Sequence, residues 1–155
     1  MPDATPGYVK NIIRRSLREI VDPRPSKNAK QKIWEFFNSK CAYCGKKLRK
    51  EHKEGHIDHL VSASCNGYNQ ISNRVLSCAK CNAEEKLDMP WEKFIEKKCS
   101  DKHTAAERKS KILQWQKTHE ESILKENVLS KIKSLADEVV SYYDEKIRQA
   151  RSLRK

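Results

Sequence analysis

Two Cys-x-x-Cys pairs, Cys41 with Cys44 in CAYC and Cys78 with Cys81 in CAKC, constrain this chain more than any other feature. They are separated by 33 residues, a spacing at which two short knuckles can close on one tetrahedral thiolate site. A metal cross-link also suits the composition. Hydrophobic residues are 37% of the 155-residue chain and charged residues 35%, so apolar surface is scarce and a staple supplies stability that a small core does not. The four thiols are therefore expected to hold Zn²⁺ as a closed structural site. An even cysteine count would suggest disulfides in a secreted chain, but the paired spacing argues for metal. Cys65 and Cys99 are expected to be ordinary thiols, because such a site closes at about four ligands.

The formal charge is +12, from 33 basic and 21 acidic residues. Such an excess fits a partner carrying repeated negative charge, nucleic acid first. Residues 1–40 are the most basic part per residue, with 9 basic against 4 acidic side chains. No apolar run approaches the ~20 residues of a membrane span. The opening MPDATPGYVK lacks the charged and then apolar regions of a signal peptide. The expectation is a soluble, cytoplasmic protein with no membrane partner.

The hydrophobic pattern predicts a mainly helical chain around a small β-hairpin. In residues 7–21, Tyr8, Ile12, Ile13, Leu17, Ile20 and Val21 recur at helical spacing, and Lys10, Arg14, Arg15 and Arg18 fill much of the other face. This basic face is either simply solvated or an arm that contacts phosphate through Arg14, Arg15 and Arg18. Pro23 and Pro25 end the helix, and Ser26 or Asn28 caps a second one. That second helix carries Ile33, Trp34 and Phe37 and should pack on the metal-bound unit. After Cys44, Gly45 suits a tight knuckle, and Lys46 and Lys47 in the polar stretch that follows are further candidate nucleic-acid contacts. Short strands are expected at 55–58 and 74–77, joined by the loop 60–72, with a helix from the second cysteine pair to Lys86. Pro90 opens another helix with Trp91, Phe94 and Ile95 on its apolar edge. From Thr104 onward no Gly or Pro occurs, which predicts one long helix or two with a bend near 118–122. Within it, Val128, Ile132, Leu135, Val139 and Tyr142 form an a/d pattern. The stripe is expected to pack on the protein's own core, with a homodimer or a partner subunit as the alternative. Three segments follow: basic N-terminal helices at 1–40, a metal-bound module at 41–98 and a helical extension at 99–155.

Chemistry concentrates between the cysteine pairs. Asp58 and His59 are neighbours at the end of a strand, so their side chains diverge to opposite faces. One can bind a metal while the other handles a proton. Asp58 is a hard oxygen donor of the kind Mg²⁺ prefers, and Asn82, beside Cys81, offers a second oxygen from the helix that the cysteines pin. An imidazole near its neutral pKa can deprotonate a water aligned on a phosphodiester. The metal then stabilises charge on the phosphate and on the leaving oxygen.

These residues resemble the HNH, or ββα-metal, nuclease family in its four-cysteine zinc form. The resemblance rests on Asp58-His59, Asn73 in SNRVLSC, and Asn82 with Lys86 in CAKCNAEEK, framed by CAYC and CAKC. It implies a zinc-stapled ββα core, His59 as general base, Asp58 and Asn82 as ligands of Mg²⁺ or Mn²⁺, and Asn73 as a brace for the loop that carries His59. It implies DNA as substrate, 5′-phosphate ends, and a prokaryotic or phage origin. Lys86 falls where the family is often basic and is a candidate phosphate contact. His56 falls where relatives carry an acidic or histidine residue near the scissile phosphate, so it joins the candidate catalytic set. The loop LVSASCNGYNQIS departs from the family, lacking a proline shortly after the histidine. The competing reading is a non-catalytic zinc-knuckle nucleic-acid-binding protein, which accounts for the charge and cysteines but not for Asp58, His59 and Asn82.

Overall fold

The computed structural model describes residues 4–119 and 126–154. In chain order the elements are α1 (Pro6–Val21), α2 (Lys27–Phe36), β1 (Gly55–His59), β2 (Arg74–Cys78), a π-helical segment (Lys80–Lys86), α3 (Trp91–Lys98), α4 (Lys102–Thr118) and α5 (Glu126–Ser152). The expected class holds: mainly helical, with one two-stranded antiparallel sheet. Contacts divide the chain into two compact units. One takes α1 and α5, and the other runs from Arg24 through α4. The three-segment division at 1–40, 41–98 and 99–155 is redrawn accordingly, since α2 and α4 share a core with the cysteine-bearing strands.

In the first unit, Thr5 caps α1 by accepting the Tyr8 N–H, and Pro6 occupies the first turn, where its missing N–H costs nothing. α1 and α5 run antiparallel, tied by Lys10 to Asp144 at 2.5 Å and Arg14 to Asp137 at 3.3 Å. Arg18 pairs at 3.1 Å with Asp22, which is buried. Of the three arginines expected as a phosphate-contacting arm, Arg14 and Arg18 thus face acidic partners of their own unit, and Arg15 is exposed. Leu135, Val139 and Tyr142 of the α5 stripe do not pack on the protein's own core, the first of the two roles expected for it. The buried apolar residues of α5 are Ala136 and Val140, while Leu135, Val139 and Tyr142 are 50%, 45% and 62% exposed. A straight helix beside one neighbour buries an i, i+4 line, whereas an a/d stripe stays on one side only if the helices supercoil. The bend expected near 118–122 meets the end of α4 at Thr118, and its remainder lies outside the described residues.

In the second unit, Ser26 caps α2 by accepting the Ala29 N–H at 3.1 Å, which settles the choice between Ser26 and Asn28. Ile33, Trp34 and Phe37 turn inward as expected. Trp34 lies so close to β1 that a Cβ on Gly55 would sit 2.3 Å from the indole. From the other side come Trp91, Phe94 and Ile95 of α3 and Ala105, Ile112 and Trp115 of α4. The Trp115 indole donates to the Ile71 carbonyl at 3.0 Å, so α4 anchors the end of the loop that feeds β2. The strands pair from Gly55 with Cys78 to His59 with Arg74, each one residue longer than expected. Between β2 and Leu87 the helix expected through Lys86 forms, and it is π-helical, a form that recurs at functional sites. Among the described residues, no helix is long and apolar enough to cross a membrane.

Candidate active site

The cysteine cluster is built by local turns. The Cys41 N–H donates to the Lys46 carbonyl at 2.9 Å and the Gly45 N–H to the Cys41 carbonyl at 2.8 Å. Gly45 has φ +75°, the left-handed region that favours glycine. The Ala42 N–H donates to the Leu76 carbonyl at 2.8 Å, tying this knuckle to β2. As a result the sulfurs of Cys41, Cys44, Cys78 and Cys81 all lie within 4.8 Å of one another. Cys44 and Cys78 are 3.8 Å apart, and tetrahedral zinc with bonds of about 2.3 Å requires a sulfur separation of about 3.8 Å. The donor set therefore fits a structural metal such as Zn²⁺. The thiols are electrostatically linked. Hydrogen bonds from Cys44 and Cys81 push the Cys41 thiol far down, and the bond to Cys41 pushes the Cys44 thiol up to about 11. One thiolate held by protonated neighbours is the arrangement a divalent cation replaces, displacing the protons. Cys65 is exposed and Cys99 half-buried, and neither joins the cluster.

The hairpin separates the other candidates onto two faces. Because opposed residues of an antiparallel pair share a face, His59 lies with Ile57 and Arg74, and Asp58 with His56 and Val75. On the Asp58 face, the Tyr43 hydroxyl donates to Asp58 Oδ2 at 2.8 Å and the Lys86 ammonium lies 3.5 Å from the same oxygen. Burial pushes the Asp58 carboxyl up, against the lowering effect of Lys86 and of the Tyr43 hydrogen bond. Asn82 Nδ2 lies 3.3 Å from His56 Nδ1, and the amide oxygen is the atom of Asn82 able to ligate a cation. A carboxylate and an amide oxygen are the hard donors that Mg²⁺ or Mn²⁺ takes.

Lys86 is not where a phosphate contact would need it. It is 2% exposed, and besides Asp58 its ammonium donates to the His59 carbonyl at 2.7 Å. It is an internal clamp between the π-helical segment and the end of β1. Lys86→Met is expected to destabilise the protein by about 3–5 kcal/mol, because it leaves a buried carboxylate without its partner. Adding Asp58→Asn should recover most of that loss in urea unfolding. A double variant whose cost equals the sum of the singles would show that the pair is not coupled.

On the opposite face, His59 Nδ1 is 3.0 Å from Arg74 Nη1 and His59 Nε2 is 3.1 Å from Asn69 Oδ1. Arg74 also donates to Asn69 Oδ1. A guanidinium can only donate, so Nδ1 presents its lone pair and Nε2 carries the hydrogen. Asn73 uses its whole amide on the intervening loop: Oδ1 accepts the Val61 N–H at 2.9 Å, and Nδ2 donates to the Val61 and Tyr68 carbonyls at 2.9 and 2.8 Å. The clasp is tight enough that a Cβ on Gly67 would lie 1.7 Å from the Val61 oxygen. Lys46 and Lys47 are exposed beside the first knuckle. Tyr43, Asn69 and Arg74 had no place in the sequence reading. Only Arg74 left a signal, as the residue that a hairpin ending at His59 would set opposite it.

The sequence pattern of the family described as HNH endonuclease matches residues 41–86. A curated relative from Bacillus subtilis (strain 168), the "SPbeta prophage-derived putative HNH endonuclease YoqL", is 35% identical over 98 residues, covering 55% of this chain and 38% of the relative. The chain thus spans well under half the length of that relative. No solved structure matches. The cysteine cluster, the ββ hairpin and the helical segment after it all fall inside residues 41–86, the stretch that matches the HNH endonuclease family.

Proposed function

We propose that the protein is a DNA endonuclease that requires Mg²⁺ or Mn²⁺ and leaves 5′-phosphate ends. The observation that carries this reading is the divergence of Asp58 and His59 at the end of β1, inside the stretch that matches the HNH family. It sets a carboxylate on the face where Asn82 meets His56 and an imidazole on the other. His59 takes the proton from the attacking water. To do so, Nδ1, which presents the lone pair, must exchange Arg74 for that water. Asp58 and the Asn82 amide oxygen hold the divalent ion, which when bound stabilises charge on the phosphate and the leaving 3′-oxygen. His56 orients Asn82 through their contact, and Asn73 holds the loop beside His59. Cys41, Cys44, Cys78 and Cys81 hold Zn²⁺, which fixes the segment from which Asn82 projects.

The test is incubation of supercoiled plasmid with purified protein, with and without Mg²⁺ or Mn²⁺. Nicked and linear products are expected only with the ion. Binding without cutting on supercoiled, linear, single-stranded and branched DNA alike would favour a non-catalytic zinc-knuckle protein.

A further inference from the structure

We propose that a basic pocket on the α2 face of the hairpin seats the phosphodiester backbone of the strand to be cut and leads it to His59. The inference rests on the nuclease reading and adds to it a substrate-binding site that the sequence reading placed elsewhere. The pocket has a volume of about 610 Å³ and is lined by Arg24, Lys27, Lys30, Lys50 and Arg74 beside Trp34, with no acidic residue in its wall. Three separate elements bring these cations together. Lys27 and Lys30 are one turn apart on α2 and so share a face. Lys50 comes from the connection before β1 and Arg74 from the first position of β2.

Some basic side chains of the protein are matched by acids, such as Arg49 with Glu54, Lys98 with Glu85 and Lys109 with Glu96. Among the described residues, Lys27, Lys30 and Lys50 form no ion pair, and Lys50 has only the neutral amide of Gln31. Gathering like charges around one hollow costs free energy that surface lysines avoid by spreading out, and an anion in the hollow removes that cost. A cleft lined by one sign of charge also concentrates the field and draws the opposite charge inward.

The order of the cations points to a strand rather than a single anion. Lys27 and Lys30 are exposed at the mouth. Arg74, 7% exposed, lies at the inner end, and its guanidinium is 3.0 Å from His59 Nδ1. A polyanion entering at α2 therefore reaches the candidate base after passing several cations. Repeated phosphates satisfy several such cations at once, and one phosphate does not.

The test uses the full chain in Mg²⁺-free buffer, with labelled duplex DNA and fluorescence anisotropy across a salt series. Lys27→Ala with Lys30→Ala is compared with Lys93→Ala and Lys97→Ala, an equal loss of charge from exposed positions of α3. The pocket pair is expected to weaken binding roughly tenfold near 0.1 M salt and to lower the slope of log K against log salt by about 2, as loss of two phosphate contacts requires. The α3 pair should leave the slope within error of wild type, and both pairs should keep the wild-type melting temperature. Equal effects from the two pairs, or an unchanged slope for the pocket pair, overturns the proposal. Plasmid cleavage by the same proteins separates the two claims. If wild type never cuts, the nuclease reading fails whatever the slopes show. If wild type cuts and the pocket pair binds and cuts equally well, the pocket alone is wrong.

Discussion

Replacing His59 by alanine is expected to slow plasmid cleavage by ~10²–10⁴-fold, the range that a positioned general base contributes, while the protein stays folded. The side chain is only half-buried and its bonds run to Arg74 and Asn69. Those two residues also bond each other, so they keep a partner after truncation and the hairpin should survive. Circular dichroism and melting temperature will show whether it does. Asn82→Ala makes the companion measurement: if Asn82 holds the divalent ion, its loss raises the Mg²⁺ concentration needed for half-maximal cleavage, whereas loss of His59 lowers the maximal rate at every concentration. Cleavage by His59→Ala at the wild-type rate would remove His59 from the mechanism and leave the domain's chemistry to be assigned anew.

The second large effect is on folding. Stripping the cysteine site with a strong zinc chelator, or making Cys81→Ser, is expected to unfold the Arg24–Glu121 unit, since structural zinc sites contribute about 10–16 kcal/mol of binding free energy near neutral pH. The four cysteines join the loop before β1 to the end of β2 and the π-helical segment. That segment carries both Asn82 and the buried Lys86, so its release removes a candidate ligand and the clamp on Asp58 together. Withholding Mg²⁺ should silence cleavage and leave the far-ultraviolet spectrum unchanged. The contrast separates a metal that folds the protein from one that reacts. A folded, metal-free protein with four titratable thiols in the cluster would rule the structural site out.

Much of the hairpin and its cysteine frame was legible in the sequence because it depends on local rules. Spacing within each Cys-x-x-Cys pair sets up a knuckle, Gly45 permits its turn, and alternation along a strand separates Asp58 from His59 whatever surrounds them. Helices with a clear apolar edge were legible for the same reason, as with Trp91, Phe94 and Ile95. The readings that failed required knowledge of a neighbour. Leu135, Val139 and Tyr142 make a regular stripe, yet α1 covers the adjacent line through Ala136 and Val140. Lys86 has the chemistry of a phosphate ligand, but the segment that bears it turns the ammonium onto Asp58. Trp115 has few apolar companions on α4 and gave no periodic signal, although it is buried against the loop before β2.

The sequence by itself determined which groups are available and how they must diverge: four thiols in two knuckles, an acid and an imidazole on opposite sides of a strand, and an amide chained to the last cysteine. These follow from covalent adjacency and from the two-residue period of a strand. Tertiary structure alone decided which partner each group meets. It placed Asp58 under Tyr43 and Lys86, set Arg74 and Asn69 on the two nitrogens of His59, and gathered Arg24, Lys27, Lys30 and Lys50 around one hollow. Those contacts join residues far apart in the chain. They exist only where packing of α2, α4 and the cysteine-framed hairpin outweighs the entropy of bringing them together.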